Sequence, residues 1–569
     1  MARTPIMRSL KWLATEARFA EKSGLPLEEV RERQALAREG GLTRRKFLAG
    51  GAALAAGAFI PYGIASARPS GGGSAPRIVI IGGGISGLAC ALTLDDSGLS
   101  STIYEALESV GGRMRSDTPA KPGCGSCHDV GRPVSATWAD GQFTDVFGEF
   151  IDSSHATMLG LAGRFGLPLT DLLAAEPPGS TPTYFFHGSY YPKAQADEDY
   201  QAIVPLLKKD LRDARYPTLY DKSTAAGRAL DNMSVYDWIE TRVPGGHSVP
   251  LGMLLDVAYN IEYGAETADQ SALNLLYLLG YDKDTRDFDE FGASDEQYRI
   301  AGGNEQLPRA IGQYLGSRCP INTEWALESI AKRSDGRYDL SFGGTFSNGG
   351  RKSDVADIVI LAMPFSSLRT IDYGRAGFDS LKKKAIQELG AGHNGKLHVQ
   401  LTSRPWKQSG PPGGVGNGLS YADTGYQNTW ESTRGQLGPS GILVQYTGGN
   451  GADGMNLDHP YGNTSDRQVI ADARRFLSQV EPVFPGISAL WNGRAAGAVP
   501  FLNPFWNCSY AYWRRGQYQT IAGYERVAQG SVFFCGEHTS IDFQGFMEGG
   551  ASEGVSAGKA VALLLGRGK

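Results

Sequence analysis

Cysteine is scarce, with six residues in 569, too few for a disulfide framework to organise a chain of this length. No long hydrophobic run is present either. The stretch Ala49 to Ile60 is short and built mainly from Ala and Gly, which excludes a bilayer-spanning helix there. A surplus of positive charge is also missing. With 55 basic and 60 acidic side chains the net charge is −5, which argues against nucleic acid as a partner. The balance of 41% apolar and 20% charged residues is that of an ordinary soluble protein and does not favour disorder. Glycine, at 76 residues, is what the chain has in abundance, and it points to turns and close backbone approaches. A chain this long divides into about two or three domains.

Residues 1–67 stand apart from the fold. Thr43-Arg-Arg-Lys-Phe-Leu48 precedes the short apolar run, and Ala65-Ser-Ala67 supplies small residues for cleavage. Twin arginines in this setting read as a twin-arginine export signal, which predicts a periplasmic or secreted protein without stable membrane insertion. Residues 68–76 read as a linker. Removing the leader makes the remainder more acidic, a weak bias towards cationic small molecules.

After the linker comes an apolar strand, Arg77 to Ile81, then Gly82-Gly-Gly84-Ile-Ser-Gly87 and a helix expected from Leu88 to Asp95. A second strand, Thr102-Ile-Tyr104, ends in Glu105, placed to take both ribose hydroxyls of a dinucleotide. Gly82 makes the tight turn, Gly84 admits the pyrophosphate beside Ser86, and Gly87 lets helix and strand pack. Near the C-terminus, strand Val532-Phe-Phe-Cys535 leads through Gly536–Gly550 to a small-residue helix expected from Ala551 to Leu565. Backbone N–H groups near Met547 and Glu548 would stabilise negative charge on a reduced ring.

Glu105 followed by Gly111-Gly-Arg113 resembles the FAD-binding entry of amine oxidases, phytoene desaturases and protoporphyrinogen oxidases. Further matches make the chain similar to the flavin-dependent amine oxidases, as an exported bacterial member. The resemblance implies that Glu537 serves the ribityl–pyrophosphate region, and that Arg113 reaches pyrophosphate or flavin. It also places the Gly148-Glu149-Phe-Ile loop beside the isoalloxazine and Leu327 at the adenine. It gives Lys396 a water to hold against flavin N5, and makes Tyr510 and Phe546 two faces of an amine gate. A tethering cysteine would fall at Ser509, so FAD is expected to be non-covalent, with Cys508 adjacent. The implied fold is α/β: a doubly wound, Rossmann-like (GR2-type) FAD-binding domain from discontinuous segments, plus an α+β substrate domain. The FAD domain is assigned to 77–154, 298–365 and 496–569, and the substrate domain to 155–297 and 366–495.

The implied activity is hydride transfer from an amine's α-carbon to flavin, with O2 or a cytochrome as acceptor. An L-amino acid oxidase is the rival enzyme, although Gly148 to Asp152 offers no arginine for a substrate carboxylate. An electron-transfer flavoprotein is the other reading, through Cys124-Gly-Ser-Cys127-His128. That motif has the haem c pattern, but a local disulfide, a metal clip or chance fits a folded-state export route better. Glu262, Glu266 and Asp269 are candidates to anchor a second cationic nitrogen, with surface charge as the default. A homodimer is compatible with these features.

Overall fold

A computed structural model describes residues 75–118, 137–282, 285–410 and 414–567. The N-terminal unit comprises strand β1 (Ile78–Ile81), helix α1 (Ile85–Asp96) and strand β2 (Thr102–Tyr104). α1 starts at Ile85 rather than Leu88 because extended Gly84 serves as its N-cap. Further along lie α2 (Pro250–Tyr263), β3 (Ile321–Asn322), β4 (Trp325–Lys332), β5 (Ile358–Leu361) and β6 (Asn394–Leu401). β7 (Val532–Phe534) and α3 (Met547–Leu564) complete the elements that frame the cavity.

Five of these strands form one parallel sheet in the order β7-β5-β1-β2-β3. Parallel neighbours need long crossovers, and here the crossovers are whole stretches of the other half of the molecule. Alternation along β1 sends Ile78 and Ile80 into a core with α1 and α3. Val79 and Ile81 enter a second core beneath the antiparallel meander of β4, Tyr338–Gly344 and Arg351–Ala356. The sheet is therefore covered by helices on one face and largely by the meander on the other.

Glycines bring α1 and α3 into backbone contact. A Cβ on Gly554 would lie 2.1 Å from the Ser86 carbonyl oxygen, and one on Gly558 would lie 2.8 Å from Thr93 Cβ. The other half is built on a nine-stranded, mostly antiparallel sheet containing β6, with α2 packed against it.

Among the described residues no helix is long and apolar enough to cross a membrane. Cys90 and Cys535 are buried core thiols, as expected, and Cys319 and Cys508 are also buried and free. Residues 1–67 and the Cys124–Cys127–His128 motif lie outside the described residues.

Candidate active site

The two halves enclose a cavity of about 1930 Å³. Every site residue expected from the sequence lines it except Gly87. Gly87 instead does the packing task foreseen for it, since a Cβ there would fall 2.0 Å from the Gly82 carbonyl oxygen. Gly82 holds φ +107° with Ala362 O 2.5 Å from where its Cβ would be, so the turn admits only glycine.

Two helix N-termini open into this end of the cavity. Neither Gly84 before α1 nor Phe546 before α3 provides a side-chain cap. The N–H groups at a helix start lack intrahelical partners and carry partial positive charge. The first can receive a pyrophosphate and the second an electron-rich ring edge. Glu105 accepts from the backbone N–H groups of Gly83 and Leu107, the latter at 2.8 Å, which fixes its carboxylate at the end of β2. Burial raises its pKa above the ordinary carboxylate value. Leu327 sits where β4 bulges, and lines the cavity beside Tyr104 and Glu105. These donors, one ribose-facing acid and the glycine turn fit FAD.

Arg113 donates to Glu537 Oε1 at 3.0 Å and to the Ser509 carbonyl at 2.6 Å. Glu537 in turn accepts from Gly545 N at 3.0 Å, tying the loop before α3 to the Gly111–Arg113 turn. Gly148 approaches α3 so closely that a Cβ would lie 2.9 Å from Met547 Sδ. Ser509 Oγ is engaged with Gly392 O at 2.8 Å and Asn394 Oδ1 at 2.6 Å. The neighbouring Cys508 does not line the cavity; its sulfur accepts from Ser366 Oγ at 3.1 Å.

Lys396 lies on β6, buried rather than solvated. Its Nζ donates to Phe147 O at 2.7 Å, Glu149 Oε2 at 3.0 Å and Asp145 O at 3.2 Å. An ammonium has three protons, and protein groups take all of them. The geometry therefore makes Lys396 an anchor of the 145–149 loop. Glu149 also accepts from Arg299 (3.2 Å), Trp430 (3.1 Å) and Ser432 (2.7 Å). Burial alone would raise the Glu149 pKa, but Lys396 and Arg299 together hold it below its ordinary value. Arg299 and Trp430 were invisible as site residues in the sequence because their only link to Glu149 is through space.

Tyr510 and Phe546 both line the cavity where its halves meet. Tyr510 OH donates to Ile261 O at 3.0 Å and shares a 2.8 Å hydrogen bond with Tyr446 OH. A Cβ on Gly545, next to Phe546, would stand 3.6 Å from the Tyr510 ring. Phe546 is braced edge-on by His155 with centroids 5.4 Å apart. Burial lowers the His155 pKa to about 3, so this imidazole is neutral.

Beyond the gate the walls turn acidic. Glu262, Asp289, Glu290 and Glu296 all line the cavity. Burial pushes Glu262 up to about 8, with Asp152 adding to it, and Asp289 up to about 8, with Glu290 adding to it. Glu296 is raised well above its ordinary value by burial, then by Asp152 and Glu262. Its backbone has φ +44°, rare for a residue with a Cβ, and its N–H is held by Asp152 Oδ1 at 3.1 Å. The other two acids noted in the sequence are outside the cavity. Glu266 is exposed and accepts from Asn450 N at 2.9 Å, while Asp269 is exposed beside Arg514, 3.5 Å away. Asp152 could have been picked out from its place in the Gly148–Asp152 stretch. Nothing in the sequence marks Asp289, Glu290 or Glu296.

Residues 85–562 match the family model described as flavin containing amine oxidoreductase. The chain belongs to that family. Polyamine oxidase 7 of Oryza sativa subsp. japonica is 23% identical over 518 residues, covering 85% of this chain and 94% of the relative. A putative L-amino-acid oxidase, YobN, of Bacillus subtilis (strain 168) is 23% identical over 521 residues, covering 86% and 95%. Among solved structures, cyclohexylamine oxidase from Brevibacterium oxydans IH-35A superposes with a TM-score of 0.69 at 20% identity. That match covers 87% of this chain and 100% of the oxidase. As a family member the chain is a flavoprotein oxidoreductase acting on amines, with FAD as cofactor.

Proposed function

We propose that this flavoenzyme oxidises a cationic aliphatic amine bearing a second positive group, in the manner of a di- or polyamine, with O2 as final acceptor. One observation carries this reading. The cations on the cavity wall, Arg113, Lys193, Lys396 and Arg434, are each already paired, with Glu537, Asp197 and Asp287, Glu149, and Glu176 respectively. The acids Glu262, Asp289, Glu290 and Glu296 share that wall; Lys193 faces Asp289 and Glu290, Arg434 faces Glu296, and those two cations are the ones already paired elsewhere. Carboxyls pushed towards the neutral form by burial and by one another gain charge when a cation enters among them, a gain that a carboxylate-bearing substrate cannot supply. The putrescine oxidase solved with putrescine bound has the same fold, at a TM-score of 0.66 and 16% identity.

The protein's part is positioning and solvent exclusion. The helix starts at Gly84 and Phe546, together with Glu105, would hold FAD. Tyr510 and Phe546 would flank the reacting nitrogen, and Asp289, Glu290 and Glu296 would hold the distal cation. When bound, the flavin supplies the two-electron sink for the hydride on the carbon next to nitrogen. The Ser509 hydroxyl and the turned-away Cys508 support non-covalent FAD, so acid precipitation should release all flavin into the supernatant.

Anaerobic bleaching of the flavin by monoamines, diamines, polyamines and L-amino acids tests the reading. Diamines or polyamines are expected to bleach fastest; bleaching by L-amino acids alone would overturn it in favour of the amino acid oxidase. Export remains a reading of Thr43–Leu48 and Ala65–Ala67 alone. A reporter fused to residues 1–67 should be exported only while Arg44 and Arg45 are intact.

A further inference from the structure

Aliphatic ammonium groups have pKa values of about 10, so at neutral pH the substrate arrives protonated. Hydride can leave the α-carbon only when the nitrogen lone pair is free to take up the positive charge. Some group must therefore accept a proton inside a water-poor cavity.

Few side chains near the gate can do so. Lys396 has its three protons committed to acceptors and is itself a cation. Tyr510 and Tyr446 are phenols bonded to each other, and burial raises the pKa of both. His155 lies behind Phe546 with Nδ1 accepting from Asp152 N at 3.0 Å. Asp152 is occupied by Ser294 Oγ (2.8 Å) and Glu296 N (3.1 Å). Glu296 has Arg434 as a facing positive charge.

Glu262 is different. It occupies the last turn of α2, directly after Ile261, whose carbonyl receives the Tyr510 hydroxyl at 3.0 Å. The gate phenol is thus pinned to the residue that precedes the carboxylate, and both side chains line the cavity. Among the described residues no cation pairs with Glu262. The charges that face it are the acids Asp152 and Glu296. The phenols of Tyr259, Tyr263, Tyr421, Tyr446 and Tyr510 complete its surroundings. The C-terminal end of a helix carries partial negative charge, which favours an ammonium there and disfavours a second anion.

We infer that Glu262 is the proton acceptor for the substrate's reacting nitrogen. The step is R–CH2–NH3+ plus carboxylate giving R–CH2–NH2 plus carboxylic acid: one N–H bond breaks, one O–H bond forms, and no electrons are exchanged. The hydride then leaves the neutral amine's α-carbon for the flavin, and the Glu262 carboxyl afterwards gives up its proton to solvent. A carboxyl whose pKa is raised to about 8 lies nearer to an ammonium than an ordinary carboxyl does, so the transfer is less uphill. This assignment rests on the amine-oxidising reading.

The test is anaerobic flavin bleaching by n-hexylamine and putrescine in the holoenzyme and in Glu262→Gln, with Glu262→Asp as the conservative variant. For Glu262→Gln, kcat/KM should fall about 100-fold near neutral pH, within the range typical of general-base removal. The loss should shrink to a few-fold near the amine's own pKa, where neutral amine is supplied from solution, and Glu262→Asp should recover part of it. A loss of equal size at every pH, or no loss, would overturn the inference while leaving amine oxidation standing. Difference infrared titration of wild type against Glu262→Gln gives a readout independent of turnover. A carboxyl band that persists through neutral pH supports the assignment, and one that disappears at an ordinary glutamate pKa refutes it. If neither amine bleaches any form, the amine reading itself fails, and the infrared result still decides the state of Glu262.

Discussion

The cofactor end of the cavity is walled by backbone, and the substrate end by carboxylates. At the first, Gly82, Gly84 and Gly148 bring main chain to the cavity surface, and two helix starts aim N–H groups inwards. Its charged side chains are settled in pairs such as Arg113–Glu537 and Lys396–Glu149. At the second, Glu262, Asp289 and Glu296 crowd together and are pushed towards the neutral form by burial. The first end tolerates little change because its constraint is excluded volume. The second stores electrostatic cost that an incoming cation relieves.

The sharpest way to break this contrast is a side chain on the glycine turn. Gly87→Val should leave the purified protein without bound FAD, seen as loss of its visible absorbance, because a Cβ cannot fit 2.0 Å from Gly82 O. Gly163→Ala, on a helix face with nothing within 4 Å, should retain full flavin. Next in size is Lys396→Met, which strands Glu149 with fewer partners. Breaking one member of a buried pair costs about 3–5 kcal/mol, measurable by urea unfolding, and Glu149→Gln in the same chain should recover part of it.

At the acidic end, Asp289→Asn should raise KM for putrescine several-fold and leave n-hexylamine nearly unchanged. Steady-state kinetics at two salt concentrations would check this, because added salt should narrow the difference. The smallest effect concerns stability. The folded pKa of Glu262, about 8, lies above its unfolded value. Wild type therefore loses stability as pH rises from the ordinary glutamate range towards about 8, while Glu262→Gln escapes that loss. Thermal melts should show the variant matching wild type in acid and exceeding it in mild alkali; a constant offset would refute the assigned shift.

The glycine turn, Glu105 and the loop before α3 were legible because their constraints act over a few residues, at a strand end or a helix start. Cofactor and family followed from those segments. Lys396 was legible as buried in importance, but its partners were not. Asp145, Phe147 and Glu149 reach it from a loop about 250 residues upstream. Glu262, Glu266 and Asp269 form one acidic stretch in the chain, and nothing local separates them. Only α2 ending at Tyr263, with Gly264 in a left-handed turn, leaves Glu262 inside and carries the other two to the surface.

The sequence by itself determined the dinucleotide-binding turn, the FAD-binding α/β sheet and the family, because steric requirements of backbone on backbone are written residue by residue. The tertiary structure alone decided which cations are already paired and which carboxylates meet inside the cavity. Coulomb interactions and desolvation depend on distance and burial in space, and residues 262, 289 and 296 become neighbours only when the chain has folded.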